Sequence, residues 1–357
     1  MKKHFYIFVT VCAMLTVAAC KKTEQPVMNS QLNADQTTLA TTTYQPLTVI
    51  TIAGQAFQQA NVDGPGNQAR FYSPHDISIA EDGSLYVTDR INNSIRKINT
   101  SNVVSTVTIP PNTDGETLQF PEGIFIAKDG TMTVLQEVQY LDKTPHPFWI
   151  IKPDGQVITP ATRTDNYWDY KYLSIAFDPY SNYLKTCGAR RVVQHSSQYT
   201  PFMEDLEIRN GVIGANRYVP PVDSFAMENR GTSTFANMYC AYNGVKYFVV
   251  QNRYIFKLTP SGVFTRIYRD LDLNSVSSMV ATKDSRTIYI VNRGRIEAIS
   301  NGKKQFLVGP NIDFSGSGDG VGSQANVQAF KLALSKDERT IYFTDAARST
   351  VRKLILK

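Results

Sequence analysis

The sequence predicts an all-β fold, a six-bladed β-propeller in which an N-terminal strand closes the last blade. Three observations carry that prediction. The chain of 357 residues holds 19 Tyr, 18 Phe, 21 Gly and 17 Pro without long Ala/Glu/Leu/Lys runs, which favours short strands and tight turns over helices. A short strand pattern recurs six times, as Leu85-Tyr86-Val87, Met132-Thr133-Val134, Tyr183-Leu184-Lys185, Tyr247-Phe248-Val249, Ile288-Tyr289-Ile290 and Ile341-Tyr342-Phe343, at spacings from about 41 to about 64 residues that suit one four-stranded blade each. The last unit lacks an outer strand, and Leu47 to Gly54 is an outer strand with no blade before it. Pairing the two removes the sheet edges that an open ring would expose.

Composition narrows the class further. Hydrophobic residues are 42% and charged residues 19%, too apolar for a disordered chain. Four Cys are too few for a disulfide-stapled mini-fold.

The first element is a leader. Lys2 and Lys3 precede an apolar run from Phe5 to Val17, about 13 residues where a bilayer span needs about 20. It ends in Val17-Ala18-Ala19-Cys20, which resembles the lipobox of bacterial lipoproteins. The resemblance implies removal of residues 1–19 and acylation of Cys20, giving a lasting membrane anchor at about 0.8 kcal/mol per buried methylene. Lys21 rather than Asp after the lipid Cys favours the outer membrane by the same resemblance, with the leaflet left open. Processing lowers Lys plus Arg from 37 to 35 against 31 acids, a net charge near +4. That mild excess on an exported chain does not point to nucleic acid. Residues 20–46, rich in Thr, Gln, Asn, Ser and Ala, read as a flexible tether reaching about 28 Å.

The propeller is expected over residues 47–357. Blade 1 reads as an inner strand Pro74 to Ala80, a second Ser84 to Asp89, a third Ser94 to Ile98 and an outer Val103 to Ile109. Blade 2 starts at Pro121-Glu122-Gly123-Ile124. Blade 4 runs through Arg253-Tyr254-Ile255-Phe256-Lys257-Leu258, and blade 6 ends in Val351-Arg352-Lys353-Leu354-Ile355. Blade 3 matches the pattern weakly, and residues 196–233 form an excursion with no assigned place.

Blade 1 carries Asp63-Gly64-Pro65-Gly66-Asn67-Gln68-Ala69-Arg70-Phe71, Pro74-His75-Asp76-Ile77, Asp82-Gly83, Leu85-Tyr86-Val87-Thr88-Asp89 and Ile95-Arg96-Lys97-Ile98. Blade 6 repeats Asp319-Gly320-Val321-Gly322-Ser323-Gln324-Ala325, Tyr342-Phe343-Thr344-Asp345 and Val351-Arg352-Lys353-Leu354. These segments resemble the NHL-repeat family of β-propellers. The resemblance implies a central channel lined by inner strands, with binding residues on the loops around one mouth.

Second-to-third turns carry Arg90, Arg190, Arg253, Arg293 and Arg348, and a ring of such guanidinium forks would attract an anionic ligand. The segment Asn166-Tyr167-Trp168-Asp169-Tyr170-Lys171-Tyr172 offers four aromatic rings that can stack on sugars or pack as a lid. His75 and Glu122 begin the first two inner strands and can reach the channel mouth. Of the mature chain's His75, His146 and His195, only His75 lies on an inner strand. A zinc site like that of the peptide-amidating lyase, a propeller relative with several channel His, is therefore not carried over. A lactonase-type cation site would draw on Glu122, Asn237 and Asn292. The segment Asp313-x-Ser315-x-Ser317-Gly318 fits a Gly-rich lead-in better than a calcium loop. Cys187 and Cys240 are either a bridge between neighbouring blades or buried thiols.

Three functions remain open. The first is a membrane-anchored, non-catalytic protein binding a glycan or an exported protein at the channel mouth. The second is a metal-dependent lyase or lactonase using His75 and Glu122, and the third is an interaction platform for an outer-membrane protein. No catalytic residue, cofactor or metal ion is assigned from the sequence.

Overall fold

A computed structural model describes residues 44–137, 146–162, 170–191, 199–209, 212–221, 233–310 and 318–357. The leader, most of the tether, Tyr167, Trp168 and the Asp313 segment lie outside the described residues.

Six separate sheets form the blades of a propeller. Blade 1 pairs Pro74–Ile79, Leu85–Asp89, Ser94–Ile98 and Val103–Thr106, and blade 2 pairs Pro121–Ile126, Met132–Gln136, Phe148–Ile151 and Val157–Ile158. Blade 4 consists of Phe235–Cys240, Lys246–Val250, Tyr254–Leu258 and Phe264–Ile267; blade 5 of Val276–Ala281, Thr287–Asn292, Arg295–Ser300 and Lys303–Val308. The turn after the inner strand repeats one device in blades 1, 2, 5 and 6. Asp82, Asp129, Asp284 and Asp337 each accept a hydrogen bond from the backbone N–H two residues on, at 2.9–3.1 Å.

The expected closure is present. Blade 6 pairs Leu332–Leu334, Thr340–Asp345 and Thr350–Ile355 with Thr48–Gly54 from the N-terminal side, in register Val49 with Leu354 and Gly54 with Thr350. Gly54 sits at φ +88°, and a Cβ there would lie 2.5 Å from the Ser349 carbonyl oxygen, so only glycine fits this junction.

Blade 3 explains the unplaced excursion. Its inner pair, Tyr170–Asp178 and Tyr183–Arg191, is followed by long strands Tyr199–Arg209 and Val212–Tyr218, with Ala161–Thr162 added in parallel to the last. Cores lie between blades. Val291, Ile296, Leu332, Ile341, Phe343 and Leu354 fill the space between blades 5 and 6, and Phe71, Ile77, Val87 and Val351 that between blades 6 and 1.

Buried arginines tie two blades to their lead-ins. Arg96 donates to Asp89 at 3.0 Å, to Asp63 at 2.7 Å and to the Val62 and Arg70 carbonyls. Arg352 repeats this with Asp345 at 3.3 Å, Asp319 at 2.7 Å and the Asn326 carbonyl. Asp63 also accepts from Thr106 of the outer strand, and Asp319 from Thr51 of the closing strand. The lead-in aspartates and third-strand arginines of these two blades are thus latches between lead-in, third strand and outer strand.

Candidate functional site

Inner strands from all six blades line a central cavity of about 360 Å³. In five blades the register shifts just before or within the start of that strand, a bulge that re-aims the next side chain. The residue that ends the shift in blades 2 to 5, with Asp76 inside the longer shift of blade 1 and Lys331 in blade 6, stands one residue before the equivalent strand position in every blade: Asp76, Gly123, Ser174, Asn237, Ser278 and Lys331. All six line the cavity. Several bond to a neighbouring blade: Asp76 accepts from the Ile124 N–H at 3.0 Å, Ser278 accepts from the Leu332 N–H at 3.1 Å, and Asn237 donates to Ser174 at 3.4 Å. The remaining oxygen of Asn237, Oδ1, is buried with no hydrogen-bond partner among the described residues.

Above this ring His75, Glu122 and Arg90 come together. His75 Nδ1 donates to the Glu122 carbonyl at 2.8 Å, and its ring meets Phe330 edge-on at 4.5 Å. Burial, with Lys331 and Arg90 nearby, pushes the imidazole down to about 3. His75 is therefore neutral at pH 7, with the proton on Nδ1. Burial raises the Asp76 carboxyl, with Lys331 opposing. Burial and the charge of Glu137 raise Glu122, against Arg90 and Lys331. Arg90 is bound on both sides, 3.5 Å from Glu122 and in direct contact with Glu137.

The opposite end of the channel is largely aromatic and apolar. Phe125 and Phe177 stack at 5.3 Å, and Ile79, Val280, Leu334 and Tyr242 share the lining with Lys336, Tyr242 being exposed.

Other expected site residues lie elsewhere. Arg348 is 1% exposed, paired with Asp345 and set over the Phe57 ring, because its turn folds the side chain back into the blade; it is not part of a mouth ring. Arg293 pairs with Asp272 at 3.3 Å, Arg190 lies over Tyr170, and Arg253 is exposed beside a smaller cleft of about 220 Å³ shared with Arg266. Tyr170 and Tyr172 are core residues of blade 3 rather than a recognition loop. Tyr172 donates to buried Glu204, and the Arg217 guanidinium bridges Glu204 and the Tyr170 hydroxyl, which holds both rings inward. Asn292 is also internal, donating to Glu297 at 2.9 Å and accepting from the Asn274 N–H. Cys187 and Cys240 are free buried thiols, not a bridge, and burial raises both, Cys240 to about 12.

Asp76 and Lys331 carry no motif signal of their own. Their signal is positional, one residue before Ile77 and Leu332 at equivalent sites of two blades. It becomes legible only once the strands are aligned.

The NHL repeat model matches residues 71–98, which span the inner three strands of blade 1. The chain thus carries one segment that matches an NHL repeat, within a six-bladed β-propeller fold. No curated protein matches its sequence. Among solved structures it is similar to a protein of unknown function from Bacteroides thetaiotaomicron, with TM-score 0.62, 15% identity, and 87% of this chain and 76% of that one covered. It is also similar to an auxiliary nutrient binding protein from Bacteroides ovatus, with TM-score 0.59, 13% identity and coverage of 87% and 76%. A catalytically inactive virginiamycin B lyase from Staphylococcus aureus aligns with TM-score 0.50, 15% identity and coverage of 82% and 84%. At these identities the likeness is one of fold.

Proposed function

We propose that this chain is a lipid-anchored, non-catalytic binding protein of the cell envelope that takes a glycan into its central channel. The observation that carries this is the channel itself. One end offers hydrogen-bonding groups from several blades, including the unpartnered Oδ1 of Asn237, and the other offers the rings of Phe125, Phe177 and Tyr242. A sugar has the same two characters, hydroxyls at its edge and an apolar face that stacks on aromatic rings. The propeller fold is shared with a protein described as nutrient-binding, which is compatible with such a role.

The anchor rests on Val17-Ala18-Ala19-Cys20 and the apolar run before it. Metabolic labelling with a fatty acid tests it: wild type is expected to incorporate label and partition with outer membranes, and Cys20→Ser to do neither.

A glycan array probed with residues 44–357 tests the ligand. Binding is expected to fall at least about tenfold in Asn237→Leu, which removes a buried polar contact, and in Tyr242→Ala, which removes a stacking face. Equal binding by both variants and wild type overturns the channel as the site. A catalytic role would draw on Glu122 and Asp76, whose raised carboxyl groups lie in a cleft. His75, held near 3, is a weak base at pH 7. Turnover of a lactone panel that is abolished by Glu122→Gln would favour that role instead.

A further inference from the structure

A second constellation lies away from the channel, on blade 2. Asp114, Glu116 and His146 each bring one ligating atom within 4.8 Å of the others. His146 Nε2 stands 3.5 Å from Asp114 Oδ2 and 3.5 Å from Glu116 Oε2. These separations exceed ordinary N–H···O hydrogen bonds. They match the edges of a tetrahedral metal site, since zinc bonds of about 2.0–2.2 Å give ligand-to-ligand edges of about 3.3–3.6 Å.

The histidine supplies the independent observation. Its side chain is only 15% exposed, and neither ring nitrogen has a hydrogen-bond partner among the described residues, Nε2 meeting the two carboxylates only at ion-pair distance. Buried polar atoms in a folded protein are ordinarily satisfied, so an orphaned imidazole facing two carboxylates calls for a further group between them.

Local structure aims the carboxylates. Buried Asn112 accepts from the Asp114 N–H at 3.0 Å and the Glu116 N–H at 2.8 Å, and donates to Glu116 Oε2 at 3.0 Å. One turn of the connection between blades 1 and 2 thus carries two candidate ligands. The third comes from the segment leading into Phe148–Ile151.

We propose that Asp114, Glu116 and His146 bind a divalent transition-metal ion of the zinc type. One imidazole with two carboxylates suits zinc, whereas calcium and magnesium take oxygen ligands alone. Three protein ligands leave a fourth position for water. The ion would staple the inter-blade connection to the second-to-third connection of blade 2. Expecting metal ligands only on the inner strands passed over His146, because this site is peripheral.

The test is calorimetric titration of the full chain, stripped with chelator, with Zn²⁺ and separately with Ca²⁺ and Mg²⁺. One Zn²⁺ is expected per chain, with a rise in Tm and binding at least about tenfold tighter than for Ca²⁺ or Mg²⁺. Asp114 and Glu116 are exposed enough for Asp114→Asn and Glu116→Gln to leave the fold intact, and each should weaken Zn²⁺ by about tenfold or more, as losing even a supporting group does. His146→Ala should weaken it further, whereas His75→Ala and His195→Ala should not change it. The proposal is overturned if wild type takes up no zinc, if stoichiometric binding survives in the Asp114→Asn/Glu116→Gln double variant, or if loss follows His75 or His195.

Discussion

Blades 1 and 6 bury an arginine where blades 2 and 4 bury an aromatic ring. Arg96 is paired with Val87 across the sheet and Arg352 with Phe343; at the same register Trp149 faces Val134 and Phe256 faces Phe248. All four are 1% exposed or less. The aromatic ring fills volume and stops there, and the Trp149 indole N–H finds no partner among the described residues. The guanidinium fills similar volume but reaches out of the sheet to the lead-in. In both blades that lead-in aspartate also holds the outer strand, Asp63 through Thr106 in blade 1 and Asp319 through Thr51 of the closing strand in blade 6. Blade 5 reverses the charge, with Glu297 at this position bonded to Asn292 and to Lys304 at 3.1 Å. A propeller can thus pack a blade either way, and in blade 6 the latch also joins the two ends of the chain, where no covalent link continues the sheet.

The strongest way to break this comparison is to remove the seam. Deleting residues 44–54 uncovers the edge of Thr350–Ile355 and leaves Asp319 without Thr51. Loss of cooperative melting is expected by circular dichroism, with aggregation through the bared edge seen by light scattering. A soluble chain that melts cooperatively would show that closure is dispensable. Next in size is Arg352→Ala, which takes the nearer of two arginines from buried Asp345, leaving Arg348 at 3.6 Å, and should cost about 3 kcal/mol in urea unfolding. Arg352→Lys should lose much of the same amount, since an ammonium cannot fork between Asp319, Asp345 and the Asn326 carbonyl. Phe256→Leu should cost only about 1 kcal/mol, because an apolar filler of lower volume still packs. Equal tolerance at the two positions would erase the distinction between latch and filler.

The same contrast explains what could be seen in the sequence. Blade 1 was legible to within a few residues because its Asp-Gly turns, alternating strands and Ile95-Arg96-Lys97-Ile98 segment are local. The closing strand was legible from its missing partner. Blade 3 was not, because its strands Tyr199–Arg209 and Val212–Tyr218 depart from the spacing of the other units. Its eleven-residue third strand departs from the repeat length, and Arg217–Glu204 replaces the expected latch. Site residues were harder still. Second-to-third turn position marked Arg348 as a ligand candidate, but whether an arginine turns out to solvent or back to an aspartate depends on its neighbours in space, such as Phe57. The Tyr170 and Tyr172 rings are drawn inward by Arg217 and Glu204, which stand more than thirty residues away in sequence.

The channel offers a smaller effect with a defined sign. His75 titrates near 3 in the folded chain against about 6.5 when unfolded. Between those values the unfolded chain takes up a proton that the folded one refuses, so stability falls as pH drops from about 6.5 towards 3. Asp76 and Glu122 act oppositely: raised in the fold, they take up protons there first, and their contribution is lost as pH rises through the range above about 4. Comparing His75→Asn with wild type cancels the carboxylates to first order. Between pH 6.5 and pH 5 wild type should lose about 1–2 kcal/mol more than the variant, at roughly 1 kcal/mol per pH unit. Parallel pH profiles would mean that His75 does not stay neutral in the folded channel.

The smallest effect separates a buried arginine from an exposed one that looks equivalent in sequence. Arg293 occupies the second-to-third turn of blade 5 as Arg348 does in blade 6, yet its side chain is 47% exposed and its partner Asp272 is 74% exposed. Water screens both charges and the pair holds long side chains in one place, so Arg293→Ala should change stability by less than about 0.5 kcal/mol. Arg348→Ala vacates a filled space under Phe57 and takes a cation from beside buried Asp345, so its loss should be several times larger. Urea midpoints of the two variants measured side by side decide the point, because both remove the same side chain from a second-to-third turn. A deficit of similar size in both would mean that burial, and not turn position, fails to distinguish structural arginines from surface ones in this propeller.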